Sequence, residues 1–253
     1  MTRKHALATV CIVACALAGV ARADGPTVAL PACVELIDPP GGASGPPTFV
    51  EAPPATHAAG KVLETLASVR ESLRTTRYEH TTHVRAADGL YLWDCSGMAA
   101  WVLHRAAPHA LESVGGDRPV ARDFYRAIAR APVTRARNGW QRVARLEDAR
   151  PGDVLSWVKP RDFPSHNTGH VAFVLAPPVR VEGRDDAFAV RIADATSFGH
   201  QGDTRPEGSG GGYGEGTLLF LVDASGQGRA YGWFGTLSDA VIVTPIVVGR
   251  PAS

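Results

Sequence analysis

Between Ala58 and Thr75 apolar residues recur at Val62, Leu66, Val69 and Leu73, with Glu64, Arg70, Glu71 and Arg74 on the other faces. That spacing of three to four residues predicts an amphipathic helix. A second helix is predicted from Cys95 or Ser96 to Ala106 and is stopped by Pro108, which has no amide hydrogen to give a helix interior. A third spans Val120–Arg130, with Phe124 and Ile128 inward. After Trp140 the period changes. Runs at Val154–Val158, His170–Leu175, Phe188–Asp194, Thr217–Asp223, Ala230–Phe234 and Val241–Val248 are β-branched or aromatic and bounded by Gly, Pro or Asp, which reads as strands. Helices first and strands afterwards argue for an α+β fold with an antiparallel sheet.

The chain ahead of this region is patterned differently. Arg3, Lys4 and His5 precede an uncharged run from Ala6 to Val20 and then Ala21-Arg22-Ala23. A basic start, an apolar stretch too short for a membrane helix and an A-x-A site predict a signal peptide over 1–23. Export to the periplasm or outside the cell follows, with no transmembrane span in the mature chain. A competing reading takes Ile12-Val13-Ala14-Cys15 as a bacterial lipobox, with a lipid on Cys15. Residues 24–56 hold eight prolines and the cluster Gly41-Gly42-Ala43-Ser44-Gly45, so they read as a linker or an arm on the domain surface. Residues 57–253 form the domain proper.

Composition narrows the class. The 253 residues are 45% hydrophobic and 20% charged, as in globular proteins. Loss of the leader with its three basic residues takes the formal net charge from +1 to −2, which gives no electrostatic reason to expect a nucleic-acid partner. Of four cysteines, Cys11 and Cys15 lie in the leader. Cys33 and Cys95 remain, which excludes a disulfide framework; Cys33 reads as a thiol without a catalytic role.

Trp93-Asp94-Cys95-Ser96-Gly97-Met98 places a cysteine where a loop enters a helix. The positive end of the helix dipole favours a thiolate there, and nucleophilic work needs that help plus a base. The alternative is a buried structural cysteine, but the polar flanks Asp94 and Ser96 are unlike a core position. His170 opens the strand Gly169–Leu175 and is the best candidate base. If that strand pairs antiparallel with the next so that Leu175 faces Ala189, His170 faces Asp194 with Cβ atoms about 5 Å apart, right for a carboxylate that holds an imidazole. The alternative for Asp194 is a strand-end turn residue. His200 and Asp203 follow closely, and either could be the third member instead or a substrate contact.

Asp94-Cys95-Ser96-Gly97, then Pro151-Gly152-Asp153-Val154, then Gly169-His170-Val171, in that order, resemble the NlpC-type cysteine peptidases, papain-like enzymes of bacterial cell-wall turnover related to the CHAP amidases. The resemblance covers about Tyr78 to Asp194. It implies Cys95 as nucleophile, His170 as base and Asp194 as orienting residue, at a position that is often His in the family. The implied fold is papain-like, with the Cys-bearing helix among N-terminal helices packed on an antiparallel sheet or half-barrel. The implied substrate is an amide bond in peptidoglycan stem peptides, such as one that involves D-Glu or a diamino acid. The aromatic-Gly-Gly stretch usual in the family before the cysteine is replaced here by Tyr78-Glu79-His80 through Gly89.

The expected protein is thus an exported, monomeric cysteine hydrolase, an endopeptidase or amidase that needs no cofactor. The oxyanion would be held by the Cys95 backbone N–H and by Tyr78, and Asp94, Ser96 and His200 are expected at the substrate. An acyl or amide transferase with the same Cys–His pair and a non-catalytic envelope-binding module are the alternatives. His80, His83, His104 and His109 lack thiolate or carboxylate partners at fixed spacing and make a poor metal set. Gly208 to Gly216 fits no phosphate-binding motif and reads as a long hairpin connection or a mobile loop near the cleft.

Overall fold

The computed structural model describes residues 30–38, 47–206 and 208–252. The predicted leader, with Cys11 and Cys15, lies outside the described residues, as do parts of the arm. Four helices are present among the described residues: α1 (His57–Ser72), α2 (Cys95–Ala106), α3 (Pro108–Val114) and α4 (Ala121–Arg130). Thr56 caps α1 by accepting the Ala59 N–H at 3.0 Å. Pro108 does stop α2, but it also opens α3, since the first turn of a helix needs no amide hydrogen from it.

The strands are β1 (Val34–Leu36), β2 (Thr75–Tyr78), β3 (His83–Arg85), β4 (Leu90–Trp93), β5 (Trp140–Val143), β6 (Val154–Val158), β7 (Gly169–Val174), β8 (Val179–Arg180), β9 (Ala187–Thr196), β10 (Gly212–Val222), β11 (Gly228–Gly232) and β12 (Ala240–Pro251). Strands β6, β7, β9, β10, β11 and β12 pair antiparallel in that order, and β12 returns to β6. The seam is formed by Val247 opposite Ser156, Val248 opposite Leu155 and Gly249 opposite Val154. This closed six-stranded barrel corrects the expected papain-like α+β architecture of N-terminal helices on a half-barrel. The protein is mostly sheet. Closure follows from the length of β12: residues 242–246 pair with β11, and the strand runs on far enough to reach β6 and β5. An open edge strand is a liability, and closure removes it.

Three apolar clusters follow from the alternation of side chains along the strands. Leu155, Trp157, Ala172, Val174, Ile192, Phe220, Tyr231 and Val248 belong to one cluster drawn from all six strands, which is the barrel interior. The opposite face of β6, β7 and β9, with Val154, Val171, Phe173 and Ala193, packs against Val62, Leu66, Met98, Val102, Phe124 and Ile128 of the helices. The third cluster, around Leu219, Leu221 and Val241, is covered by Ile37 and Phe49 of the arm. The arm is therefore fastened to the domain: β1 pairs with β12, and the Cys33 N–H donates to Asp162 at 3.0 Å.

Leu155 sits at the closing seam and is fully buried. Leu155→Ala should cost about 2–5 kcal/mol of unfolding free energy, measured by denaturant titration. A loss below about 1 kcal/mol, the scale of a surface change, would show that the inward face is not packed.

Candidate active site

Strand β4 delivers the chain to Asp94, whose extended backbone and short side chain cap α2. Its Oδ1 accepts the Gly97 N–H at 2.8 Å and the Ser96 hydroxyl at 2.8 Å. The polar residues on either side of Cys95 are thus engaged with each other in the cap, and Ser96 is buried. Gly97 leaves room in this cap for the Thr82 hydroxyl, which a Cβ there would displace. Cys95 becomes the first helical residue, at the positive end of a twelve-residue helix, and is 7% exposed.

His170 lies at the start of β7, opposite Trp157 of β6, with the two rings 5.0 Å apart. Its Nε2 is 2.6 Å from Asp194 Oδ2, and the Cys95 thiol lies close enough to the same imidazole to favour its protonated form. With Nε2 committed to the carboxylate, Nδ1 is the nitrogen left for sulfur. The three residues come together, though not by the expected register. Phe173 faces Ala193 and Val174 faces Ile192, two residues along from a pairing of Leu175 with Ala189. A slip of two keeps every side chain on its face, so Asp194 becomes the diagonal neighbour of His170 and still reaches it.

Asp194 is 1% exposed and has two further partners. His200 Nε2 lies 2.9 Å from the same Oδ2, and the Arg205 guanidinium bonds to Oδ1 and, at 3.1 Å, to the Asp194 carbonyl. Asp203 in turn accepts from Arg205 at 2.6 Å and from the His200 N–H at 2.8 Å. His200 Nδ1 faces the Trp233 carbonyl at 3.2 Å, so its ring is held from both sides. Although expected at the substrate, His200 stands behind Asp194 with its side chain fully buried.

The loop that carries His200, Asp203 and Arg205 lies across the start of β10, where Gly212, Gly214 and Gly216 alternate with bulkier residues. A Cβ at Gly214 would stand 2.5 Å from Arg205 Cγ, and one at Gly216 2.6 Å from His200 Cβ. These glycines leave a bare stripe on which the loop is seated. The glycine-rich segment is therefore largely strand, and the period-two spacing of its glycines was the available signal for Arg205, which the sequence reading missed. Trp233 was missed too. Its ring lies 5.3 Å from His170 and 4.6 Å from His200 and covers both imidazoles.

The charges are consistent with this packing. Burial works to raise the Asp194 carboxyl, but His200, Arg205 and His170 outweigh it and hold the group well below the usual carboxylate range. Burial works to lower His170; Cys95 and Asp194 reverse that and bring it up to about 9. Burial, then Cys95 and Asp94, push the Tyr78 phenol upward, so its hydroxyl stays neutral. The Asn167 side chain nearby works in the opposite direction. Cys33, equally buried, is pushed up to about 11 by burial and by Asp162.

His80 lies 3.3 Å from Asp94, and His109 is 3.3 Å from Glu112. Among the described residues no group of three or more His, Cys, Asp or Glu side chains is arranged to hold a metal ion. No helix among them is long and apolar enough to cross a membrane. Asp153 of the PGD turn is fully buried and ion-paired with Arg250 at 2.8 Å. Compared with protein-family models, curated proteins and solved structures, the chain finds no match.

Because the folded protein favours the His170 imidazolium, that group contributes stability that is complete below about pH 6.5 and is lost as pH rises through about 9. Asp194 contributes in the opposite sense: its share is present above the ordinary carboxylate range and is lost on acidification. Proton NMR should find the His170 ring titrating near 9, and Cys95→Ala should bring it down toward the ordinary value of about 6.5. An unchanged titration in Cys95→Ala would separate the thiol from the imidazole.

Proposed function

We propose that the protein is a cysteine hydrolase that cleaves an amide bond. The observation that carries this reading is the His170 imidazole, held between a thiol at a helix N-terminus and a buried carboxylate. In the first half-reaction Sγ, its proton already held on His170 Nδ1, bonds to the carbonyl carbon, and negative charge moves to the carbonyl oxygen. The Cys95 backbone N–H and the neutral Tyr78 hydroxyl are the donors available to that oxygen. The C–N bond then breaks, and His170 returns the proton to the leaving amine. Water, deprotonated by His170, attacks the thioester, the acid departs and the thiol is restored. Asp194 holds the ring orientation throughout, and Trp233 shields the imidazole–carboxylate contact from water.

The substrate class rests on the resemblance to the NlpC-type peptidases in the Asp94–Gly97, Pro151–Val154 and Gly169–Val171 motifs. It points to peptide stems of peptidoglycan, a polymer that a protein with the predicted export leader would meet. The barrel here differs from the papain-like half-barrel that the resemblance implied, so the reading stands on the Cys–His–Asp geometry and the motif order.

Purified peptidoglycan incubated with the native protein should release free amino groups and peptide fragments, followed by amine labelling and mass spectrometry. Cys95→Ala and His170→Ala should each lower the rate by at least about a hundredfold, and Tyr78→Phe by roughly tenfold to a hundredfold. With an added small amine, hydrolysis leaves acids, whereas a transferase would yield new amides. Release that persists in Cys95→Ala would contradict the reading.

A further inference from the structure

Beside the entrance to β7, the β6–β7 connection and the first turn of α4 line an open groove of about 490 Å3, large enough for a small ligand (~300–1,000 Å3). Its lining includes Arg122, Lys159, Arg161 and His166, together with Ser165 and Asn167, and contains no acidic residue. Among the described residues eleven arginines are ion-paired, Arg126 with Asp123 and Arg250 with Asp153 among them, and ten are not. Arg122 and Arg161 have no acidic partner among the described residues. Lys159 Nζ donates to the Phe163 carbonyl at 2.9 Å, which positions the ammonium without neutralising it. Three cations converge on one concave surface of a protein whose mature charge is near zero.

The cleft adjoins the site. Thr168 in its wall is two residues from His170, and Asn167, also in the wall, lies near enough to Tyr78 to act on its phenol, as Cys95 does. We propose that this cleft is a subsite for an anionic group of the substrate, a carboxylate one or two residues from the bond that Cys95 attacks. The inference rests on Cys95 being the nucleophile only for its second half; anion binding stands on the cleft alone. Guanidinium forks match a carboxylate in charge and shape, and Lys159 adds a point charge. An extended polyphosphate would need a longer basic tract than this short loop and helix end present.

The test is titration of the native protein with N-acetylglutamate and with its neutral diamide, followed by NMR shifts of His166 and Asn167. N-acetylglutamate should give saturable shifts, the diamide should bind at least about tenfold more weakly, and Arg122→Gln/Arg161→Gln should lose a similar factor. Both arginines are exposed, so the double variant should keep the fold. Half-molar salt should weaken binding in the native protein. Equal binding of acid and diamide, or no change in the double variant, overturns the subsite. Saturating N-acetylglutamate should also slow alkylation of Cys95 by iodoacetamide severalfold; absence of protection while binding persists overturns its placement beside the nucleophile. A Cys95 inert to iodoacetamide in the free protein defeats the proposed hydrolase and the placement, and leaves the titration to decide anion binding.

Discussion

The carboxylate of Asp194 is buried between two imidazoles and a guanidinium, and much of the molecule is arranged so that this can be so. Removing a carboxylate from water costs several kcal/mol after relaxation, and one partner seldom repays it. Here three donors do, with Asp203 balancing the guanidinium. Deleting Asp194 would leave Arg205 and His200 facing each other in a space closed to solvent. The same carboxylate fixes which nitrogen of His170 is turned toward sulfur, so the stability of the barrel end and the chemistry of the thiol rest on one group.

The barrel supplies the rigidity this needs. Trp157, Phe220 and Tyr231 pack within it, with Trp157 4.7 Å from Tyr231 and 5.7 Å from Phe220, and His170 is the polar continuation of that stack. Strands β9 and β10 pair over ten consecutive positions, from Gly212 opposite Thr196 to Leu221 opposite Ala187. The loop between them folds back across their own first turn of ladder. Without side chains at Gly214 and Gly216 it can lie close enough for His200 and Arg205 to reach Asp194. Helix α2 packs on β7 and β9 through Met98, Ala99 and Val102, so the thiol and the imidazole are carried by elements that share a core.

Much of this was legible in the sequence. Each of the six barrel strands overlaps a run read from its β-branched and aromatic content, although the start of β10 falls in the glycine-rich stretch read as a connection, and three of four helices follow from apolar spacing and Pro108. Cys95, His170 and Asp194 were recognisable because a helix start, a strand start and a strand end each carry a distinct local signature. Which strand edges meet is not a local property: nothing in Val241–Val248 distinguishes a strand that ends a half-barrel from one that returns to β6, and so the architecture was misread. The register slipped by two because hydrophobic alternation fixes the face of a strand but not its position along the partner. Arg205 and Trp233 lie in stretches without a motif, and only contacts across the fold give them a place. Asp94 and Ser96 looked like site residues for a reason that capping of α2 explains equally well.

The most direct measurement compares two thiols of equal burial in one molecule. Iodoacetamide alkylation of Cys95 and Cys33 at pH 7, read separately by peptide mass spectrometry, should show Cys95 reacting at least about tenfold faster, since Cys33 is pushed up to about 11 by burial and by Asp162 and has no imidazole to take its proton. In His170→Ala that advantage should disappear while Cys33 is unchanged. A Cys95 that reacts no faster than Cys33, or that keeps its rate without His170, would contradict the thiol–imidazole–carboxylate account.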